Sequence, residues 1–148
     1  MLMNLVLGIS TMVTCLLLQL VLFIAVLRYY VRRQALVSNP SFLATLTVIK
    51  GVMLLLVSGI LAQVGIWAMM FVVLGEFELF SEAFYHSAVN FATLGYGDFV
   101  MSAEHKLLGP LESINGVLMI GVSTAALMAA FQDAIGKTLK ARQTEAVQ

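Results

Sequence analysis

From Leu5 to Leu27 the chain carries no charged side chain. A second apolar run, Phe42 to Leu74, is interrupted by charge only at Lys50, and a third, from about Leu111 to Phe131, has none after Glu112. Runs of this length suit a bilayer, because a helix crosses ~30 Å of hydrocarbon with about 20 mostly apolar residues. Hydrophobic residues make up 61% of the 148-residue chain and charged ones 11%, against about 45–50% and about 25% in ordinary globular proteins. One soluble domain could not hide that excess from water. The chain therefore reads as an all-α integral membrane protein with membrane lipids around it. A formal net charge of 0, with no basic patch interleaved by aromatics, gives no footing for nucleic acid. The single cysteine, Cys15, sits inside the first run and can form neither an intrachain disulfide nor a metal site; its expected role is packing.

Charge placement sets an expected topology. Arg28, Arg32 and Arg33 follow the first run instead of preceding it, which fits a membrane span and not a cleaved leader. Positive residues collect on the cytoplasmic side, so Arg28–Ser41 is expected inside and the N-terminus outside. Tyr29 and Tyr30 suit the interfacial belt, and Asn39-Pro40-Ser41 punctuates the chain before the next helix. Phe42–Lys50 reads as an interfacial turn or two with Lys50 snorkelling toward the cytoplasm, leaving Gly51–Leu74 as the span proper. Gly51, Ser58, Gly59, Ala62 and Gly65 would permit close helix packing there. The tail, Gln132–Gln148, carries Lys137, Lys140 and Arg142 and is expected inside. Glu76, Glu78, Glu82, Asp98, Glu104 and Glu112 then fall on or near the outside, a surplus that would concentrate cations there. Thr11, Thr14 and Gln19 in the first span can bond either to a neighbouring helix or to their own turn.

Between the second and third spans, Phe80–Ala92 is too short to cross as a helix and too apolar for an ordinary loop, so it reads as re-entrant. Ser81 would cap its start, with Glu82 at the positive helix end. Directly after it comes Thr93-Leu94-Gly95-Tyr96-Gly97-Asp98. Glycine reaches φ > 0 freely, so Gly95 and Gly97 can supply left-handed positions while Thr93, Leu94 and Tyr96 supply right-handed ones. Such alternation turns successive carbonyls to one side of the chain, with the Thr93 hydroxyl adding one more oxygen. Rings of backbone carbonyls can replace a cation's hydration shell, but several ladders must surround the ion.

The hexapeptide, in its place between two spans, resembles the selectivity-filter signature of potassium channels, with Leu94 where Val is commoner. The resemblance covers roughly Gly51–Phe131. It implies three transmembrane helices plus a re-entrant pore helix and filter loop, assembled as a homotetramer around one pore. The segments would be 1–41, an extra N-terminal helix and linker; 42–131, the pore domain; and 132–148, a short tail. It also implies K+ as the permeant ion at Thr93, Leu94, Gly95, Tyr96 and Gly97, with no cofactor, no soluble substrate and no enzymatic activity. Asp98 would sit at the outer mouth, and Tyr96 would brace the filter against the pore helix. Of the filter supports, Val89 stands where simple bacterial channels carry a glutamate, and His86 is expected to pack behind the filter with one hydrogen bond, a pH-sensing imidazole being the other reading; Ala92 stands where a second threonine often occurs. Gly116 or Gly121 would serve as an inner-helix hinge, and Ser123 and Thr124 would line the inner cavity. His105 in the outer loop is expected to be solvated. The first helix lacks the spaced arginines of a voltage sensor. The implied location is the plasma (inner) membrane. A less selective cation channel and a non-conducting accessory subunit are the alternative readings.

Overall fold

The computed structural model describes residues 1–33 and 42–147. The described residues form helices α1 (Leu2–Arg32), α2 (Phe42–Val73), α3 (Phe80–Phe91) and α4 (Leu108–Val147), with no strand among them. Leu2–Arg32, Leu43–Val73 and Leu108–Ala141 are long and apolar enough to cross a membrane. The 12-residue α3 is not. Asn39-Pro40-Ser41 lies outside the described residues.

Three boundaries differ from expectation. α2 runs unbroken through Lys50, since no breaker precedes it and Lys50 can remain exposed on a continuous helix. α3 begins one residue before Ser81, with Leu79 at the N-cap and no side-chain cap, so Ser81 lies within the first turn. α4 starts at Leu108, which puts Pro110 in its first turn, where a missing N–H costs nothing. It continues past Phe131, so the expected tail is mostly helix. No proline interrupts that stretch, and Lys137 Nζ lies 2.7 Å from Asp133 Oδ2 in the favourable acid-before-base order at four-residue spacing.

The chain divides into two compact units. One comprises Met1–Gln19 and Gly59–Gly121. Its core is aromatic-rich: Trp67, Phe71, Phe77 and Phe91 close with Leu108 and Met119. Within it α1 is turned polar side inward. Its buried residues are Asn4, Gly8, Thr11, Cys15 and Gln19, spaced three or four apart on one face, while Val6, Ile9, Val13, Leu16, Leu17 and Leu20 are exposed. That pattern inverts a soluble amphipathic helix, as expected where lipid is the solvent and helices bind through small and polar groups. Gln63 Nε2 donates to Gln19 Oε1 at 2.8 Å. Thr11 Oγ1 lies 2.9 Å from Leu7 O and 3.1 Å from Met70 Sδ, whereas Thr14 bonds back to Ser10 O. Both alternatives open in the sequence are thus used, by different residues. An added Cβ at Gly8 would press on Leu111, so α1 approaches α4 closely there.

The other unit comprises Leu20–Ser58 and Val122–Gln148. Val26, Val52 and Leu56 form one small core, and Val48, Ile49 and Ala134 another. Tyr30 donates to Asp133 Oδ2 at 2.6 Å, and the Thr45 and Thr138 hydroxyls meet at 2.8 Å. Gly51 leaves room for the Tyr29 ring, onto which any Cβ would fall.

Candidate functional site

The site begins where α3 ends. Ala92 closes the helix with φ −81° and ψ 0°, and Thr93 follows with φ 60°. Thr93 N–H donates to Asn90 O at 2.8 Å and Leu94 N–H to Val89 O at 2.9 Å. These paired bonds around a left-handed residue are a Schellman cap. Thr93 is therefore left-handed, not right-handed as expected: it is at once the first residue of the loop and the residue that terminates α3. A β-branched residue at positive φ is a true outlier, with strain of about 1–3 kcal/mol of the kind found at functional sites. Among the described residues it is the only non-glycine at positive φ.

Gly95 and Gly97 follow with φ 60° and 75°. Positive φ thus falls on Thr93, Gly95 and Gly97 and not on Leu94 or Tyr96 between them, an unbroken alternation along the loop. No chain atom lies within 4 Å of where a Cβ would stand on Gly95 or Gly97, so backbone conformation, not crowding, accounts for these glycines. Ala92 through Val100 are all exposed in the single chain, with Leu94 at 55% and Tyr96 at 65%. Tyr96 is thus largely uncovered within one chain, with the Tyr85 hydroxyl of α3 near it.

The loop is held from behind. Asn90 O, already taken by Thr93, also accepts the Ser113 hydroxyl at 2.8 Å. Val89 is buried and contributes its carbonyl to the cap. His86, on the same helix, lies with Nδ1 2.9 Å from Phe99 O and Nε2 2.9 Å from Asn90 Nδ2. An amide N–H on Nε2 makes Nδ1 the protonated nitrogen, which donates to Phe99 O. Burial pushes the His86 pKa below its ordinary value, against the Phe99 carbonyl, which pulls it up; the ring is thus favoured neutral. The Tyr85 hydroxyl faces the Asp98 carboxylate, which raises the phenol's pKa. Tyr85 thus links α3 to Asp98, and the His86 ring also feels that carboxylate.

The segment beyond the loop is pinned to the end of α2. Ser102 donates through its N–H to Glu76 Oε2 at 2.7 Å and through its hydroxyl to Oε1 at 2.6 Å. His105 Nδ1 lies 2.5 Å from Glu76 Oε1. His105 is buried, not solvated as expected, because it shares one carboxylate with Ser102. Burial alone would raise the Glu76 pKa, but the Ser102 and His105 bonds outweigh it and leave it lowered.

Gly116 packs against the end of α3, where an added Cβ would strike Phe91 O. Gly121 faces open space. Ser123 is buried and Thr124 exposed, so the two do not share an environment. Glu112, counted above with the outer acids, is completely buried, and its carboxyl group meets the Ser87 hydroxyl of α3. The available signal was its spacing from Asn115 and Met119, which share its buried face. The Glu76–Ser102–His105 cluster had no sequence signal, its members being joined only by the fold.

Comparison with known proteins matches residues 16–133 to a family model described as ion channel. No curated protein and no solved structure matches the chain. The matched stretch takes in most of α1, all of α2 and α3, the alternating loop and α4 as far as Asp133, and the chain belongs to the ion channel family.

Proposed function

We propose that this ion channel is a potassium-selective pore formed by four copies of the chain, conducting K+ passively through the backbone of Thr93–Gly97. The observation that carries the reading is the alternation of positive φ at Thr93, Gly95 and Gly97, because alternate-handed residues turn successive carbonyls to one side, as a dehydrated cation requires. α3 would be the pore helix, directing the negative end of its dipole toward the ion path. Exposure supports assembly: Leu94, Tyr96, Val100, Ile114, Val117 and Leu118 are uncovered in one chain, and neighbouring copies would cover such a surface beside the axis. In the assembly Tyr96 would brace against an adjacent copy, and Asp98, held by Tyr85, would stand at the outer mouth.

Residues 42–131 would be the pore domain, 1–41 a peripheral helix and linker, and 132–148 the cytoplasmic end, in a plasma membrane with the N-terminus outside. Gly116 is assigned to packing. Hinge motion, if the inner helix bends at glycine, falls to Gly121, and cavity lining to Thr124. Bilayer recording of the purified protein with K+ on one side and Na+ on the other tests the reading. A reversal potential close to the K+ equilibrium value supports it, and a value near zero refutes selectivity.

A further inference from the structure

Ser87 Oγ, on α3, stands within hydrogen-bond distance of two oxygens, Val64 O at 2.9 Å and Glu112 Oε1. A serine hydroxyl has a single hydrogen to donate, and a backbone carbonyl has none. If Glu112 were a carboxylate, one hydrogen would serve two acceptor-only neighbours, and one of the contacts would bring lone pairs face to face. A hydrogen on Glu112 resolves this: Ser87 donates to Val64 O, and the Glu112 O–H donates to Ser87 Oγ.

The surroundings agree. Glu112, Ser87 and Asn115 are fully buried, and Glu112 Oε2 has no hydrogen-bond partner. The groups facing the carboxyl are Ser87 and Asn90 of α3 and Cys15 of α1; the adjacent polar side chains Trp67 of α2 and Asn115 of α4 also face Cys15. None of them carries positive charge. A buried carboxylate without a cation is strongly disfavoured, whereas a neutral acid leaves only one carbonyl oxygen unpaired.

We propose that Glu112 is held as a neutral carboxylic acid whose O–H, donated to Ser87, ties α4 to α3 and through Ser87 to α2. It is a positioning residue: Ser87 sits on the helix whose cap sets Thr93, so this proton fixes the platform on which the loop is built. This role rests on the channel reading, but the protonation state does not.

Infrared difference spectroscopy of the purified full chain in lipid at neutral pH, wild type against Glu112→Gln, tests it. The expected result is a carboxylic-acid carbonyl band in wild type that is missing in Glu112→Gln. In Ser87→Ala the band should shift to higher frequency as its acceptor is lost. Glu112→Gln, which keeps a neutral donor, should retain K+ flux within about twofold, while Glu112→Ala should lose tenfold or more relative to wild type, about 1.4 kcal/mol. No acid band assignable to Glu112, or a Glu112→Gln protein as impaired as Glu112→Ala, would overturn the proposal. If wild type itself passes no K+, the channel reading fails while the spectrum still decides the proton.

Discussion

Thr93 holds in the cap of α3 the place that Gly75 holds in the cap of α2. At Gly75, φ is 74°, with Gly75 N–H on Val72 O and Glu76 N–H on Phe71 O, both at 3.0 Å. At Thr93, φ is 60°, with the same pair of bonds one helix later. One motif is closed by the residue that fits it and the other by a residue that strains it. Glycine closes the cap of α2 without strain, and under the proposed function threonine is kept in the cap of α3 for its hydroxyl.

Exchange of the two residue types separates these roles. Thr93→Gly relieves about 1–2 kcal/mol of left-handed strain and adds a comparable entropy cost, so the melting temperature should barely move while K+ over Na+ selectivity falls. Gly75→Thr introduces the strain with nothing in return and should destabilise by about 1–2 kcal/mol, leaving selectivity intact. Equal selectivity in Thr93→Gly and wild type would remove the hydroxyl from the account.

Gly116 and Gly121 can be told apart by alanine. A methyl group at Gly116 meets the Phe91 carbonyl, and such overpacking typically costs about 1–3 kcal/mol. Gly121 has open space, so Gly121→Ala should gain up to about 1 kcal/mol of helix propensity. Thermal melts in detergent read both. If Gly116→Ala melts at or above wild type, close packing is not what that glycine provides.

The spans and the short helix were legible because bilayer thickness translates directly into run length, and the glycines marked the loop. Side-chain facing was not. Lys50 and Glu112 look alike in sequence, each a lone charge near the start of an apolar run, yet one is exposed and the other fully buried. The handedness of Thr93 is set not by its residue type but by the helix that ends on it. His105 was misjudged because Glu76, its partner, arrives from a distant part of the chain.

Gln19 and Gln63 join α1 to α2 by one buried bond. Replacing Gln19 by leucine leaves the buried Gln63 amide without this partner and should cost about 1–3 kcal/mol, whereas replacing both should cost much less. A double-mutant cycle on thermal or denaturant unfolding measures the difference. Additive losses would mean the amides act separately.

The Glu76 cluster gives the segment after the loop an acid-sensitive tie. Because the Glu76 pKa is lowered in the folded chain, its contribution is complete above the ordinary glutamate range and declines as pH falls through the depressed folded value. The protection factor of the Ser102 amide, its exchange corrected for the intrinsic pH dependence, should therefore fall on acidification below that range in wild type. Glu76→Gln should show fast exchange already at neutral pH, and no such difference would mean the tie is not formed by the carboxylate.

The central claim is that the backbone of Thr93–Gly97 conducts K+. The direct measurement is K+ efflux from proteoliposomes of wild type and Gly95→Ala, with Na+ replacing K+ in a parallel set and Ba2+ as blocker. Under that claim, K+ efflux that Ba2+ stops, little Na+ efflux, and loss of K+ efflux in Gly95→Ala, where φ 60° forces an alanine into the left-handed region, are expected. Equal K+ and Na+ efflux, or a Gly95→Ala protein that conducts K+ like wild type, would contradict it.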